Sequence, residues 1–183
     1  STVIPGTTES LANKYKNIKL VFSPEFLTEA NHIEDFVKSN RVIFGGTPPV
    51  LQRLEEVYRT AYPDKTYIHT DFTTAETVKY FANSFLATKV SFANEMSQVC
   101  QRLNIHYEKV LEMVLLDGRI GKSHFKVPGP DGLSGFGGKC FPKDLNSFKN
   151  FIDSLGIEPT VLRAVWKNVW IYSLCHTSLL NRY

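Results

Sequence analysis

The 183-residue sequence predicts an α/β fold, a partial parallel sheet followed by an all-helical part built on one long helix. Two observations support this. Short apolar runs alternate with stretches of helical period over the first 71 residues, and an apolar pattern of helical period then continues to Leu103. The composition, 43% hydrophobic and 21% charged, is that of a globular protein. Because the pattern changes after Asp71, we predict two domains, residues 1–71 and 72–183.

The first part is predicted to alternate strands and helices. Strands separated by helices pair in parallel through crossover connections. Gly45-Gly46 and Pro48-Pro49 mark the turn after the third strand. Ligands bind beyond the carboxyl ends of such strands, where Pro5-Gly6 and Ser23-Pro24-Glu25 lie. The predicted strands are 1–4, 19–22, 41–44 and 66–69, and the predicted helices are 7–15 and 50–61.

The second part begins with a long helix. Thr73 and Glu76 have the spacing of a capping box, which predicts a helix from there to Leu103, about 45 Å long at the usual rise. A helix of that length in a small protein is often shared across a dimer. The glycine-rich loop over 117–140 is long enough to be either functional or disordered. Shorter helices are predicted at 107–116, from Pro142 to the residue before Gly156, and from Pro159 or Thr160 onward.

Charge and hydropathy exclude several classes of partner. The 21 basic and 18 acidic residues give a net charge of +3 without a basic block, so we expect no nucleic acid. The apolar stretch 165–180 is interrupted by polar residues, Lys167 and His176 among them, and therefore predicts a buried helix, with no membrane partner. The five histidines lack metal-ligand spacing, so we expect no metal.

The chain start and the cysteines indicate context. The sequence begins with Ser1 and has neither a basic start nor an apolar signal core, so we expect a fragment of a longer protein. Three widely spaced cysteines favour a reducing, cytoplasmic setting over a disulfide framework. Of these, Cys100 and Cys175 occupy apolar helical positions and are expected to be buried.

Cys140 is the candidate nucleophile. It precedes the helix that Pro142 is expected to begin, where the helix dipole and free N–H groups favour a thiolate. Two lysines flank it, two glycines let a substrate approach the backbone, and a carboxylate four residues on is suited to hold a water. These neighbours are Lys139, Lys143, Gly137, Gly138 and Asp144. From the residues alone, a small buried hydrophobe in a glycine-rich turn is an equal alternative.

Two pairs of polar residues have helical spacing. Lys79 and Asn83 are four residues apart, so an ammonium and a carboxamide on one face can stabilise negative charge on oxygen. A solvated polar stripe is the alternative. Glu25 and Glu29 share a face if Pro24 begins a helical turn, and one carboxylate then suits a general base toward water. Carboxylates at a helix start also occur merely as complements of the dipole.

Four separated motifs resemble, in order, those of the UDP-glucose/GDP-mannose dehydrogenase family. They are Ser1-Thr2-Val3, Pro24-Glu25-Phe26-Leu27-Thr28-Glu29, Lys79-Tyr80-Phe81-Ala82-Asn83 and Gly135-Phe136-Gly137-Gly138-Lys139-Cys140-Phe141-Pro142-Lys143-Asp144. The resemblance extends from Ser1 to about Asn168, is strongest to the UDP-glucose 6-dehydrogenases, and implies that the sheet is a partial Rossmann-like one. The family's glycine-rich dinucleotide turn is absent from these residues, so we expect this chain alone to hold NAD⁺ poorly and not to turn over.

The resemblance implies a chemistry. A nucleotide sugar, UDP-glucose by this resemblance, is oxidised at its C6 alcohol to the carboxylate by two NAD⁺, through a thiohemiacetal and a thioester on a cysteine. The implied catalytic residues are Cys140, Lys79, Asn83, Asp144, Glu25 and Thr2. The implied substrate contacts are Phe26, Leu27, Arg119, Phe136, Gly137 and Gly138. The residues implied to lie toward the cofactor are Glu29, Thr2 and Lys143.

The resemblance also implies individual roles. Lys79 and Asn83 would stabilise the C6 oxyanion, with Lys79 a candidate for taking the alcohol proton. Glu25 would assist thioester hydrolysis. Thr2 and Asp144 would hold the water, and Arg119 would reach the site of the partner subunit in a homodimer formed through the long helix.

Three alternatives stay open. The first is a related dehydrogenase that acts on GDP-mannose or a UDP-N-acetylhexosamine. The second is a non-catalytic helical dimerisation module. The third is a thiol hydrolase or acyl-transfer enzyme built on Cys140 with Lys79 and Asp144, although it lacks a histidine near these motifs.

Overall fold

The structure is a computed structural model of the chain, and it describes residues 2–27, 31–130, 132–136 and 140–168. Two compact units divide the chain, Ser1–Ala82 and Asn83–Tyr183. The predicted domain boundary between residues 71 and 72 stays a prediction. The elements are α1 (Thr7–Lys14), α2 (His32–Lys38), β1 (Arg41–Gly45), α3 (Pro48–Ala61), β2 (Thr66–Thr70), α4 (Phe72–Arg102), α5 (Tyr107–Val114) and α6 (Cys140–Ser154), followed by helical residues 160–168.

The first unit contains the predicted parallel sheet. β1 and β2 pair in parallel from Arg41 opposite Thr66 to Gly45 opposite Thr70, and α3 makes the crossover between them. Successive β1 side chains point to opposite faces, as the pleat requires. Val42 and Phe44 pack with Leu51 of α3, and Ile43 packs with Phe22 and Ala75. The partial parallel sheet of the predicted fold class is therefore confirmed.

Two predicted strands are wrong in the described part of the chain. Residues 2–4 form no strand, and of the predicted strand 19–22 only Phe22 pairs, in a single antiparallel bridge with Gly45. A strand needs a neighbour along its length, and the described residues supply these two segments with none beyond that bridge. The predicted helical turn at Pro24 is also wrong, because residues 23–27 are not helical.

The sequence did not predict α2. This seven-residue helix buries none of its own residues, so it lacks the apolar face that periodicity detects. Its C-terminal end is held by Lys65, whose buried ammonium donates hydrogen bonds to the carbonyls of Phe36, Val37 and Ser39. A cation at a helix C-terminus satisfies carbonyls that the helix itself leaves unpaired.

The long helix exists, but its predicted cap is wrong. α4 begins at Phe72, and the residue that caps it is Asp71, whose carboxylate accepts the backbone N–H of Thr74 at 2.8 Å and its hydroxyl at 2.6 Å. Thr73 and Glu76 do not form the capping box. Glu76 instead accepts hydrogen bonds at the start of α1.

The second unit is helical, as predicted. Small residues of α4 let neighbouring helices approach: Ala87 packs with Leu145 of α6 and with Val165, and Ala93 and Cys100 pack with Tyr107 of α5. Gly156 adopts a positive φ of 76° just after α6, a conformation that favours glycine at a helix end. The predicted burial of Cys100 is confirmed, whereas Cys175 lies outside the described residues.

In the part of the chain that the structure describes, no helix combines the length and the apolar character that a membrane crossing requires. Most of the apolar stretch 165–180 lies outside the described residues.

Candidate active site

In the first unit, Lys79 is a buried ammonium beside Glu25. Lys79 as a whole is only 4% exposed to solvent. The ammonium donates a hydrogen bond to the backbone carbonyl of Glu25 and lies 3.5 Å from the Oε1 atom of the same residue. The pKa of the Glu25 carboxyl is lowered, because partial burial, which raises it, is outweighed by other interactions that include the Lys79 charge. The structure therefore joins two predicted catalytic residues.

Phe26 connects this pair to the sheet. Its ring contacts the core cluster around Phe22, and it lies 4.9 Å from the Arg41 guanidinium and 5.5 Å from the Lys79 ammonium. Two cations at one ring stabilise the segment that carries Glu25. Leu27, the next predicted substrate contact, is half-buried, and Glu29 lies outside the described residues.

Glu76 holds the segment that follows Thr2. Its fully buried carboxylate accepts the N–H of Gly6 at 2.6 Å and the N–H of Thr8 at 2.8 Å, at the start of α1. Gly6 has a φ of 92°, which favours glycine. Thr2 itself is half-buried and precedes Val3, which packs on the Phe22 cluster. A carboxylate of the protein therefore occupies the N-terminus of α1.

The helix starts of α1 and α3 are poorly suited to bind the pyrophosphate of a dinucleotide. A pyrophosphate needs free N–H groups at a glycine-rich helix start. In the described part of the first unit, the start of α1 is taken by Glu76, and α3 starts with Pro48-Pro49, which carry no N–H. Gly45 serves packing, since an added Cβ would lie 2.6 Å from the Cβ of Ala75. The starts of α1 and α3 in the described part of the first unit therefore supply no pyrophosphate cradle.

In the second unit, Asn83 and Lys143 hold the carboxylate of Asp144. Asp144 is 1% exposed, and its Oδ2 accepts a hydrogen bond from the amide nitrogen of Asn83 at 2.6 Å. Its Oδ1 accepts one from the Lys143 ammonium at 2.5 Å. Both carboxylate oxygens therefore have a donor, and Lys143, implied to lie toward the cofactor, pairs with Asp144.

Cys140 is the first residue of α6, and its side chain is exposed. The prediction that this cysteine lies at a helix start is confirmed. Phe141 beside it contacts Phe136 edge to face at 5.8 Å and the ring of His124 at 5.9 Å. His124, which the sequence did not single out, thus packs against Phe141, the residue that follows the thiol in the sequence. Gly137, Gly138 and Lys139 lie outside the described residues.

Arg119 projects from the loop after α5. Its side chain is 89% exposed, and its guanidinium donates to both carboxylate oxygens of Asp117 at 2.5 to 3.1 Å. These hydrogen bonds lower the pKa of the Asp117 carboxyl. Lys89 fixes the same loop by donating to the carbonyl of Gly121 at 2.8 Å.

Sequence reasoning missed two buried polar residues of α4. Glu76 was assigned to a cap, and Asn94 was not considered. Asn94 accepts the N–H of Gly135 at 2.8 Å. The signal that could have found both is a charged or amide side chain on an otherwise apolar helix face. In the described ranges, no group of three His, Cys, Asp or Glu side chains is arranged to bind a metal ion.

Comparison with known proteins gives one consistent result. Residues 1–62 match the NAD binding domain of the UDP-glucose/GDP-mannose dehydrogenase family, and residues 73–168 match its central domain. The UDP-glucose 6-dehydrogenase of Rickettsia typhi is 34% identical over 177 residues, which cover 92% of this chain and 39% of that protein. UDP-glucose 6-dehydrogenase TuaD of Bacillus subtilis is 35% identical over 173 residues, covering 90% of this chain and 36% of that protein.

A solved structure agrees with these relatives. The UDP-glucose dehydrogenase of the hyperthermophilic archaeon Pyrobaculum islandicum superposes with a TM-score of 0.78 at 36% identity, covering 93% of this chain and 40% of that one. The chain thus spans about two fifths of the length of the proteins it matches. The chain belongs to the UDP-glucose/GDP-mannose dehydrogenase family.

Proposed function

We propose that this chain is the catalytic middle portion of an NAD-dependent UDP-glucose 6-dehydrogenase, which oxidises the C6 alcohol of the sugar to a carboxylate. The observation that carries the proposal is the exposed Cys140 thiol at the first residue of α6. A helix N-terminus favours a thiolate, which is the form that adds to an aldehyde. The relatives named above, at 34 to 36% identity, support UDP-glucose as the substrate.

In the first oxidation, the chain's part is to manage charge on the C6 oxygen. Lys79 has three N–H donors on a buried ammonium, and Asn83 has a second amide N–H besides the one given to Asp144. Donors in a low-dielectric setting stabilise an alkoxide strongly. Lys79 is also the proposed acceptor of the alcohol proton: it enters this step as the neutral amine and leaves it as the ammonium. NAD⁺, when bound, takes up a hydride from C6 in each of the two oxidations.

Cys140 then captures the aldehyde. The thiolate adds to the C6 carbonyl carbon, the carbonyl oxygen takes up a proton, and a thiohemiacetal results. Loss of that proton and of a hydride from C6 leaves a thioester on the sulfur. Phe26, Leu27 and Phe136, with Gly137 and Gly138, are the proposed contacts to the substrate.

Water completes the reaction. It attacks the thioester carbonyl, the C–S bond breaks, and the products are the carboxylate and the free thiol. Glu25 is the proposed general base, because its half-exposed carboxylate lies beside Lys79, 3.5 Å from the Nζ atom. Asp144 and Thr2 are proposed to hold the water. Glu29 and Lys143 are proposed to lie toward the cofactor.

The decisive experiment uses the intact protein with UDP-glucose and NAD⁺. We expect two NADH for each UDP-glucuronate formed. Cys140→Ser should abolish carboxylate formation, while Cys100→Ala, which removes a buried thiol, should keep it. Quenching a single turnover and digesting the protein should find the sugar acyl group on the Cys140 peptide.

The alternatives give different outcomes. NADH formation with GDP-mannose or a UDP-N-acetylhexosamine, but not with UDP-glucose, would reassign the substrate. A dimer that forms no NADH with any nucleotide sugar would support a non-catalytic module. Cleavage of an acyl ester by Cys140 without NAD⁺ would support a thiol hydrolase.

We also propose that the intact protein is a homodimer formed through α4, with Arg119 serving the partner subunit's site. Support comes from large apolar side chains that are 45 to 69% exposed: Phe81, Phe85, Phe92 and Val99 on α4, and Leu103 directly after it. An exposed apolar surface of this kind is typical of an interface. The exposed guanidinium of Arg119 is suited to an anionic phosphate.

A further inference from the structure

A hydrogen bond accepted by the Asn94 side chain ties α4 to the segment leading into Cys140. Asn94 is 3% exposed. Its Oδ1 accepts the backbone N–H of Gly135 at 2.8 Å, across 41 positions of sequence. A buried carboxamide with a single long-range partner of this kind is strongly constrained in position.

The orientation of the amide is fixed by its other end. The Nδ2 atom donates to the carbonyl of Val90 at 2.8 Å, one turn earlier in α4. Only one assignment of the amide satisfies both contacts, since a carbonyl needs a donor and an N–H needs an acceptor. The hydrogen bond to Val90 therefore orients the Asn94 amide so that its Oδ1 atom faces the loop.

The anchored residue has a backbone conformation that favours glycine. Gly135 has a φ of 85°, a left-handed conformation that side chains disfavour. The next residue, Phe136, packs on the cluster of Ala87, Leu145 and Val165 and meets Phe141 edge to face. The chain is thus anchored five positions before Cys140, by one polar contact to α4 and one aromatic contact to α6.

We propose that Asn94 is a positioning residue for Cys140: its carboxamide anchors the loop at Gly135 and so fixes where the thiol lies for its attack on the aldehyde. This rests on the proposed function for its catalytic consequence. Asn94 does not touch the substrate. Its effect is carried through Phe136, the residue after Gly135, which packs edge to face on Phe141 beside the thiol.

The test compares three variants of the intact protein. Asn94→Ala removes the anchor, Asn94→Asp keeps an oxygen acceptor, and Thr88→Val is the control. Thr88 donates only to the carbonyl of Ser84 in its own helix, so its loss affects α4 without touching the loop. Circular dichroism establishes that each variant is folded, and Asn94→Asp decides the question if Asn94→Ala is not.

We expect Asn94→Ala to lower kcat about tenfold or more while KM for UDP-glucose changes less than about threefold. Misplacing the thiol should let aldehyde escape capture, so hydroxylamine should trap it and the ratio of NADH to carboxylate should exceed two. Asn94→Asp keeps the acceptor for Gly135 but loses the donor to Val90, so its kcat should lie between those of Asn94→Ala and the wild type. Thr88→Val should resemble the wild type.

Alkylation of Cys140 by iodoacetamide needs neither cofactor nor sugar, so it separates the two proposals. Its rate should change at least about threefold in Asn94→Ala and stay within about twofold in Thr88→Val. If the wild type formed no NADH, the proposed function would fail. The alkylation rate would still test whether the Asn94–Gly135 hydrogen bond positions Cys140. An Asn94→Ala protein with wild-type alkylation rate, kcat and NADH ratio would overturn the positioning role.

Discussion

At the residue scale, four buried polar side chains of α4 each satisfy a group far away in sequence. Glu76 accepts two N–H groups at the start of α1, and Lys79 donates to the Glu25 carbonyl. Asn83 donates to Asp144, and Asn94 accepts from Gly135. An unsatisfied buried polar group costs about 1–3 kcal/mol, so these side chains select the loop conformations that satisfy them. The proposed catalytic residues depend on those loops.

The Asn83–Asp144 pair gives a stability prediction. Asn83→Ala removes the donor at Oδ2 of the Asp144 carboxylate, a residue that is 1% exposed, and leaves the hydrogen bond from Lys143 to Oδ1 in place. We expect a loss of about 1–3 kcal/mol in the free energy of unfolding, the usual cost of stranding one side of a buried polar contact. Urea unfolding followed by circular dichroism measures it.

The matched control is Asn150→Ala on α6. Asn150 is exposed, and its amide oxygen accepts from the neighbouring Lys149. Surface changes of this kind usually alter stability by less than about 0.5 kcal/mol. Equal unfolding midpoints for the two variants would show that Asp144 gains nothing from Asn83.

At the element scale, the predictability of each element followed the strength of its local signal. α3 and α4 were found because long apolar stripes recur at helical period, and β1 because Val42–Phe44 is apolar and is followed by Gly45-Gly46. α2 was missed because its stability comes from Lys65, 27 positions beyond its end, which no local pattern reveals. The same holds for Glu76: the sequence shows its capping spacing, whereas tertiary contacts decide that it binds Gly6 and Thr8.

The candidate site was predictable to the same extent: its local motifs could be found in the sequence, and its long-range contacts could not. The motifs gave the residue types and their order, and the structure joined Lys79 with Glu25 and Asn83 with Asp144. The pairing of Asp144 with Asn83 joins positions 61 apart, so it required the fold. The sequence left open a helical turn at Pro24 that would place Glu25 on a helix face, and residues 23–27 do not form such a helix.

The start of α4 gives a pH prediction. The pKa of the Asp71 carboxyl is lowered, first by the hydrogen bond from the Thr74 hydroxyl and then by the Thr74 N–H. A lowered folded-state pKa means that the cap stabilises the protein above the unfolded pKa and loses this effect as pH falls through the folded value. We expect Asp71→Ala to cost about 1 kcal/mol near neutral pH.

The pH dependence distinguishes a charged cap from a general packing effect. The stability gap between wild type and Asp71→Ala should narrow as pH falls below about 4, the ordinary range for an aspartate. Asp71→Asn keeps an oxygen acceptor without a charge, so its gap to Asp71→Ala should change little with pH. Thermal unfolding from neutral to acidic pH measures both gaps, and a gap to Asp71→Ala that is constant through this range would contradict the assignment.

At the scale of the whole molecule, α4 has a surface that its own chain leaves uncovered. Phe81, Phe85, Phe92 and Val99 project within about 20° of one direction, counting about 100° per residue around the helix. Phe85, Phe92 and Val99 are separated by seven positions, the spacing of a helix–helix seam. A second copy of α4 is the occupant that would bury an identical stripe by two-fold symmetry.

That stripe gives the last prediction. Phe92→Glu places a charge in the middle of the proposed seam, where burial without a partner is costly. We expect it to weaken dimerisation of the intact protein at least about 100-fold, roughly the loss seen when a central interface residue is disrupted. Gln101→Glu adds the same charge at an exposed position about 180° away around α4 and should leave the dimer intact. Sedimentation equilibrium measures both dissociation constants. If the two variants dimerise equally well, the interface lies elsewhere, and Arg119 then loses its proposed route to the partner subunit's site.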